Sequence, residues 1–190
     1  TGLAQLKPVS EGGIHTAGNS SQISDGAAAV LWMTEEKARE AGLKPRARIV
    51  RGVVAGADPF YLLDGPINAT QEVLRKTGMA MSDFDLFEIN EAFAAVVLSW
   101  LGQYPEIAPE RVNVNGGAIA LGHPLGAPGT KLMGTLVYEL KRRGGKYGLM
   151  AITIGVNRVH GTKVGLTCLG RRTVRGFVEG QLDTNFLFWN

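Results

Sequence analysis

With 190 residues, 45% of them hydrophobic and 19% charged, the chain has the make-up of a globular protein able to bury a core, which excludes a disordered or fibrous class. Its 20 basic and 17 acidic residues leave a net charge of +3, and no aromatic residues interleave with the basic ones, so nucleic acid is not expected as a partner. The longest apolar run, over 27–33, is too short to span a bilayer, no basic-then-apolar leader is visible, and one cysteine, Cys168, excludes an internal disulfide, which together predict a soluble cytoplasmic protein.

Residues 1–26 are rich in Gly, Ser, Thr and Asn and predict a loop with at most a short helical turn. The unbroken apolar run over 27–33 predicts a strand buried on both faces. Thr34 is placed to cap a helix whose first turn carries Glu35 and Glu36 and which Gly42 closes. A strand is expected over about 47–55, then a helix introduced by Pro66 and Asn68 and ended by Gly78. Residues 84–89 alternate apolar and acidic side chains as a strand does and run into Asn90, just after which a helix should start. Val112, Asn113 and Val114 predict a short strand. The helix expected over roughly 127–143 sets Leu132, Met133, Leu136, Val137 and Leu140 on one stripe. Residues 149–154 and 162–167 are expected to close the fold as a strand pair, and 171–190 as an irregular tail. This order of strands and helices implies a layered α/β fold.

Chemistry concentrates in two places. Five glycines, Gly116, Gly117, Gly122, Gly126 and Gly129, surround His123, and such a loop lets backbone amides approach a ligand closely. Upstream stands Asn90-Glu91-Ala92-Phe93-Ala94. Together these segments resemble the thiolase family, in which Asn-Glu-Ala-Phe and Gly-His-Pro segments supply two catalytic loops. The resemblance runs from about Leu6 to Gly155 and implies a fold of two similar βαβαβαββ domains. By it, residues 1–45 are the closing loop, helix and strand of the first domain, 46–170 are the complete second domain, and most of the first is absent. A buried strand over 27–33 would then show bare edges to water, so another polypeptide is expected to cover it. That cover would be a subunit of a homo- or hetero-oligomer, or the front of a longer product.

Thiolases join or cleave acyl units carried on coenzyme A through a cysteine thioester. The resemblance therefore implies an acyl-CoA thioester as substrate, with no covalently bound cofactor and no metal, and it puts the nucleophile in the missing part. His123 corresponds to the histidine that activates the nucleophile and donates to the thioester oxyanion, and Asn90 to the asparagine that holds a water beside it. Asn90 can also be a helix cap, and Ser21, which corresponds to a serine on the pantetheine arm of coenzyme A, can equally make a local turn. Ala92 and Phe93 would line the acyl channel, or simply fill the core. Glu91 is expected to be structural. The basic clusters Arg142, Arg143, Lys146 and Arg171, Arg172, Arg175 fit solvated helix ends or attraction to a phosphorylated ligand.

Three departures matter. The family's second cysteine, a base in a Cys-x-Gly motif, corresponds by position to Thr153 in Thr153-Ile154-Gly155. A thiol ionises near pH 8.5, within reach of a neighbouring histidine, whereas a threonine hydroxyl cannot serve as a base unaided. Cys168-Leu169-Gly170 spells the same motif but falls too late. Pro128 and Lys131 replace a common serine and arginine, and Asn157, Arg158 and Val159 replace glycines. Two classes of function stay open: an acyltransferase lacking its nucleophilic half, and a non-catalytic subunit that binds coenzyme A or scaffolds a partner. The Asn-Glu-Ala-Phe segment points away from a ketoacyl synthase.

Overall fold

The computed structural model describes residues 2–58, 60–61, 63–157, 161–170 and 187–189, with side chains described up to 153. In chain order the elements are β1 (Leu31–Met33), α1 (Glu35–Glu40), β2 (Ala47–Ala57), α2 (Gly65–Thr77), β3 (Leu86–Ile89), α3 (Ala94–Gln103), α4 (Ala118–Leu121), α5 (Pro128–Arg143), β4 (Tyr147–Asn157), β5 (Gly161–Gly170) and β6 (Leu187–Trp189). Local chemistry explains most of the helix ends. The Thr34 hydroxyl accepts the Lys37 N–H at 3.3 Å and so satisfies one of the free amides of α1. Proline stands in the first turn of both α2 and α5, where its missing N–H costs nothing. Gly78 and Gly144 close those helices with φ of 66° and 72°, the left-handed conformation that a side chain would resist.

The strands form one sheet in the order β1-β6-β2-β5-β4-β3. Strands β2, β5 and β4 are antiparallel neighbours, whereas β3 and β4 run parallel, with Ile89 opposite Ala151. Alternation along β3 and β4 sorts side chains onto two faces. Phe87, Ile89, Leu149 and Ala151 pack with Val73 of α2 and Trp100 of α3. Leu86 and Met150 pack on the other face with Leu132, Leu136 and Leu140 of α5. The stripe expected on the last helix is thus the one that is buried. Trp100 is fully buried, and its indole N–H donates to the Thr70 hydroxyl at 3.0 Å. That hydroxyl in turn donates to the Pro66 carbonyl at 2.7 Å, so a polar chain crosses the apolar layer with its groups paired.

Four expectations need correction. The run over 27–33 is not a strand buried on both faces: only Leu31–Met33 join the ladder, and Leu31 remains 53% exposed. The described residues lay no second apolar layer over both of its faces, and an apolar run without such a layer has no reason to extend. The helix after Asn90 begins only at Ala94. The intervening residues are drawn out to pair with the N-terminal segment, where the Ser21 N–H donates to the Ala92 carbonyl at 3.0 Å and the Ala94 N–H to the Asn19 carbonyl at 2.8 Å. Residues 112–114 make a single bridge, Val112 to Phe87, in place of a strand. Asn113 turns into the left-handed region with φ 48°, and its carboxamide takes over the rung, accepting the Ile89 N–H at 2.8 Å and donating to the Ile89 carbonyl at 2.9 Å. Finally, the end of the supposed irregular tail is ordered: β6 pairs antiparallel with β1 and β2. The expectation for 171–186 lies outside the described residues.

Candidate active site

Asn90 stands just past the C-terminal end of β3, where its N–H still donates to the Ala151 carbonyl of β4 at 2.9 Å. It continues the alternation of Leu86 and Glu88, and so turns toward the α5 side of the sheet. The residue is 5% exposed, and its Oδ1 has no hydrogen-bond partner among the described residues. His123 is held from the N-terminal segment: its N–H donates to the Gln22 carbonyl at 2.8 Å, and it forms a parallel bridge with Ile23. Gly122, before it, has φ 84°, and a Cβ there would press on the Ser24 side chain, so both the turn and the close approach require glycine. The imidazole Nδ1 is likewise buried without a partner among the described residues.

Asn90 and His123 line one small pocket of about 10 Å³, whose walls also include Gly116, Gly117, Lys131 and Leu132. Two buried polar atoms left unpaired on one small pocket are the sign of a site meant to hold a water or a reacting oxygen. Burial, and after it the positive charge of Lys131, hold the His123 imidazole below its ordinary pKa. It is therefore neutral near pH 7, with one nitrogen able to donate and the other to accept.

The carboxylate of Glu91 fastens the two loops. It accepts from the Asn113 carboxamide at 2.8 Å and from the Ile119 N–H at 3.0 Å, and a Cβ at Gly117 would land on it. This is the structural role expected of it. On the same face of β3 as Asn90, Glu88 is 1% exposed with Oε2 unpaired among the described residues. Burial first, then repulsion from Glu91 and Glu139, raises its pKa to about 8, against a smaller opposing pull from Lys131.

Of the residues singled out from the sequence, Asn90 and His123 are brought into one pocket. Ser21 and Ala92 meet through their backbones beside it, and Ala92 and Phe93 are half-buried against the α2/α3 core, with the Phe93 ring 4.5 Å from that of His15. Thr153 is half-buried on β4 opposite Val164, and alternation gives it the face of Leu149 and Ala151, away from α5. Lys131, Leu132 and Thr135 of α5 also line the pocket; their helical spacing was the clue, but it reads equally well as ordinary amphipathicity. Among the described residues, no cluster of His, Cys, Asp or Glu could hold a metal ion, and no helix is long and apolar enough to cross a membrane.

A mixed sheet with helices on both faces, and an asparagine after β3 and a histidine in a glycine-rich loop that line one pocket, match the α/β organisation and the two motifs noted in the sequence. Family comparison agrees: the model of the thiolase C-terminal domain matches residues 43–165 and that of the thiolase N-terminal domain matches 1–36, so the chain belongs to the thiolase family. It is 54% identical over 153 residues to the steroid 3-ketoacyl-CoA thiolase FadA6 of Mycobacterium tuberculosis, covering 80% of this chain and 37% of that protein. A 3-ketoacyl-CoA thiolase of Vibrio parahaemolyticus is 49% identical over 162 residues, 83% of this chain and 41% of its own length. Among solved structures, the Bacillus anthracis acetyl-CoA acetyltransferase superposes with TM-score 0.79 at 40% identity, covering 89% of this chain and 42% of that one. The human mitochondrial 3-ketoacyl-CoA thiolase in complex with CoA gives 0.79 at 37% identity, over 90% and 42%. The chain thus spans about two fifths of the length of the relatives it matches.

Proposed function

We propose that this chain is the C-terminal part of a thiolase-type acyltransferase acting on acyl-CoA or 3-ketoacyl-CoA, with its nucleophile supplied by an N-terminal thiolase half. Residues 1–45 would belong with that half and 46–170 form the second domain, and the reducing cytoplasm suits an enzyme that works through thiols. The half is carried either by an oligomeric partner or by preceding residues of the same polypeptide. The observation that supports this reading is the pair of unsatisfied buried atoms, Asn90 Oδ1 and His123 Nδ1, on one pocket.

In this reading the neutral imidazole of His123 takes the proton of the nucleophilic thiol supplied by the N-terminal half, and its N–H then faces the thioester oxygen as negative charge develops there. Asn90 orients a water toward the same oxygen. Donors fixed in advance gain most where water is excluded, because nothing has to reorganise during the reaction. Ser21, Ala92 and Phe93 border the approach of the coenzyme A arm. By its place in the motif Thr153 corresponds to the family's base, and with no thiolate at that position acyl loading should outlast carbon–carbon bond formation.

The test is to combine the chain with an N-terminal thiolase half and to measure acyl loading and thiolysis separately. Loading with feeble thiolysis, restored by Thr153→Cys, is expected; rapid thiolysis by the wild type would overturn the role given to Thr153. Because Thr153 replaces the basic cysteine, a non-catalytic CoA-binding or scaffolding subunit is the second reading. Calorimetry with coenzyme A separates these two functions: binding weakened by Ser21→Ala supports a CoA site, and absence of binding in the assembled protein leaves scaffolding.

A further inference from the structure

Lys131 sits in the first turn of α5, its N–H donating to the Ala127 carbonyl at 3.0 Å. Helix stability does not explain it, since a cation near a helix N-terminus opposes the macrodipole at a cost of about 0.3–1 kcal/mol. Its side chain instead reaches across to the histidine loop. Nζ donates to the Leu121 carbonyl at 3.5 Å and to the Gly122 carbonyl at 3.4 Å, the two peptide groups immediately before His123. The same side chain forms part of the wall that Asn90 and His123 share. The other charged groups on elements packed around this pocket are Glu88 on β3, Glu91 after it, Asp25 on the segment whose Gly26 lies against Pro124, and, two turns further along α5, Glu139 with Lys141, Arg142 and Arg143, of which the two arginines pair with Glu139.

We propose that Lys131 is a positioning residue for His123, its ammonium fastening the two carbonyls ahead of the imidazole and giving the pocket a fixed positive charge. Two consequences follow from Coulomb's law in a partly desolvated site. A cation on the wall disfavours a second cation on the imidazole, so the ring stays neutral and ready to accept a proton. The same charge favours an anion in the pocket, as a thioester oxyanion would be. Only this second consequence rests on the acyltransfer reading.

The experiment is histidine-selective NMR on the 190-residue chain, with the His123 resonance assigned through His123→Asn and with His15, against Phe93, as internal control. Lys131→Met should raise the His123 titration midpoint by about 0.5 pH unit or more, while Lys131→Arg, which keeps the charge, should hold it near the wild-type value. An unmoved midpoint in Lys131→Met, or an equal shift in Lys131→Arg, would overturn the proposal. In the assembled protein, acyl loading should fall about tenfold in Lys131→Met and recover in Lys131→Arg, in line with a loss of roughly 1.4 kcal/mol. A wild type that never loads an acyl group would refute the acyltransfer reading and leave the titration result standing.

Discussion

The body of sheet and helices and the N-terminal segment both carry large apolar side chains, yet they are held in opposite ways. In the body Phe87, Trp100, Leu136 and Leu149 are fully buried between sheet and helices. In the N-terminal segment Leu3, Val9, Ile14 and Ile23 are largely exposed, Ile23 at 88%. What fixes that segment is its backbone, through Ser21 to Ala92, Ala94 to Asn19 and His123 to Gln22. It therefore acts as a strap across the two loops of the site, held by hydrogen bonds worth about 1 kcal/mol each rather than by a core of its own. Apolar sequence alone does not make a core; a facing layer does.

Substitutions can break this contrast. The largest effect is expected from Trp100→Ala, which should cost about 3–5 kcal/mol in urea denaturation, since it empties the centre of the α2/α3 face and removes the donor to the Thr70 hydroxyl. Next comes Glu88→Gln. The native carboxyl holds its proton up to about pH 8, whereas the unfolded chain loses it near the ordinary glutamate value of 4.5. Across that window the native state binds the extra proton, so wild-type stability must fall as pH rises. Glutamine has no proton to lose, so the variant should gain on wild type by up to about 1.4 kcal/mol per pH unit, read from denaturation at pH 5 and pH 8. Equal pH slopes would show that Glu88 is ionised in the fold.

Gly117→Ala should cost about 1–3 kcal/mol, because the new methyl meets the Glu91 carboxylate that joins the loops, and the loss should be visible both in melting and in the His123 NMR shift. Smallest in the chain alone is Ile23→Ser, within about 0.5 kcal/mol. In the presence of an N-terminal thiolase half the same change should weaken association; an unaffected association constant would show that the half does not cover this part of the strap.

What was legible in the sequence follows the same division. The capped helix at Thr34, the glycine stops at Gly78 and Gly144 and the stripe on α5 are written locally, by side chains within a few residues of one another. Residues 91–93, Asn113 and Leu187–Trp189 were misread because their conformations are set by distant partners: the strap, the Ile89 backbone, and β1 with β2. In the site, Asn90 and His123 were readable from their motifs. Lys131 and Glu88 were not assigned a place in it, since a lysine on an amphipathic helix and a glutamate in an alternating strand look solvent-facing until depth is known.

The central claim, that Asn90 and His123 serve one oxygen in one pocket, is tested most directly by a double-mutant cycle on acyl loading in the assembled protein. Each of Asn90→Ala and His123→Ala should slow loading by on the order of 100-fold or more, with the pair little worse than the more damaging single change. Two losses that simply multiply, or a wild-type rate in either single variant, would contradict it.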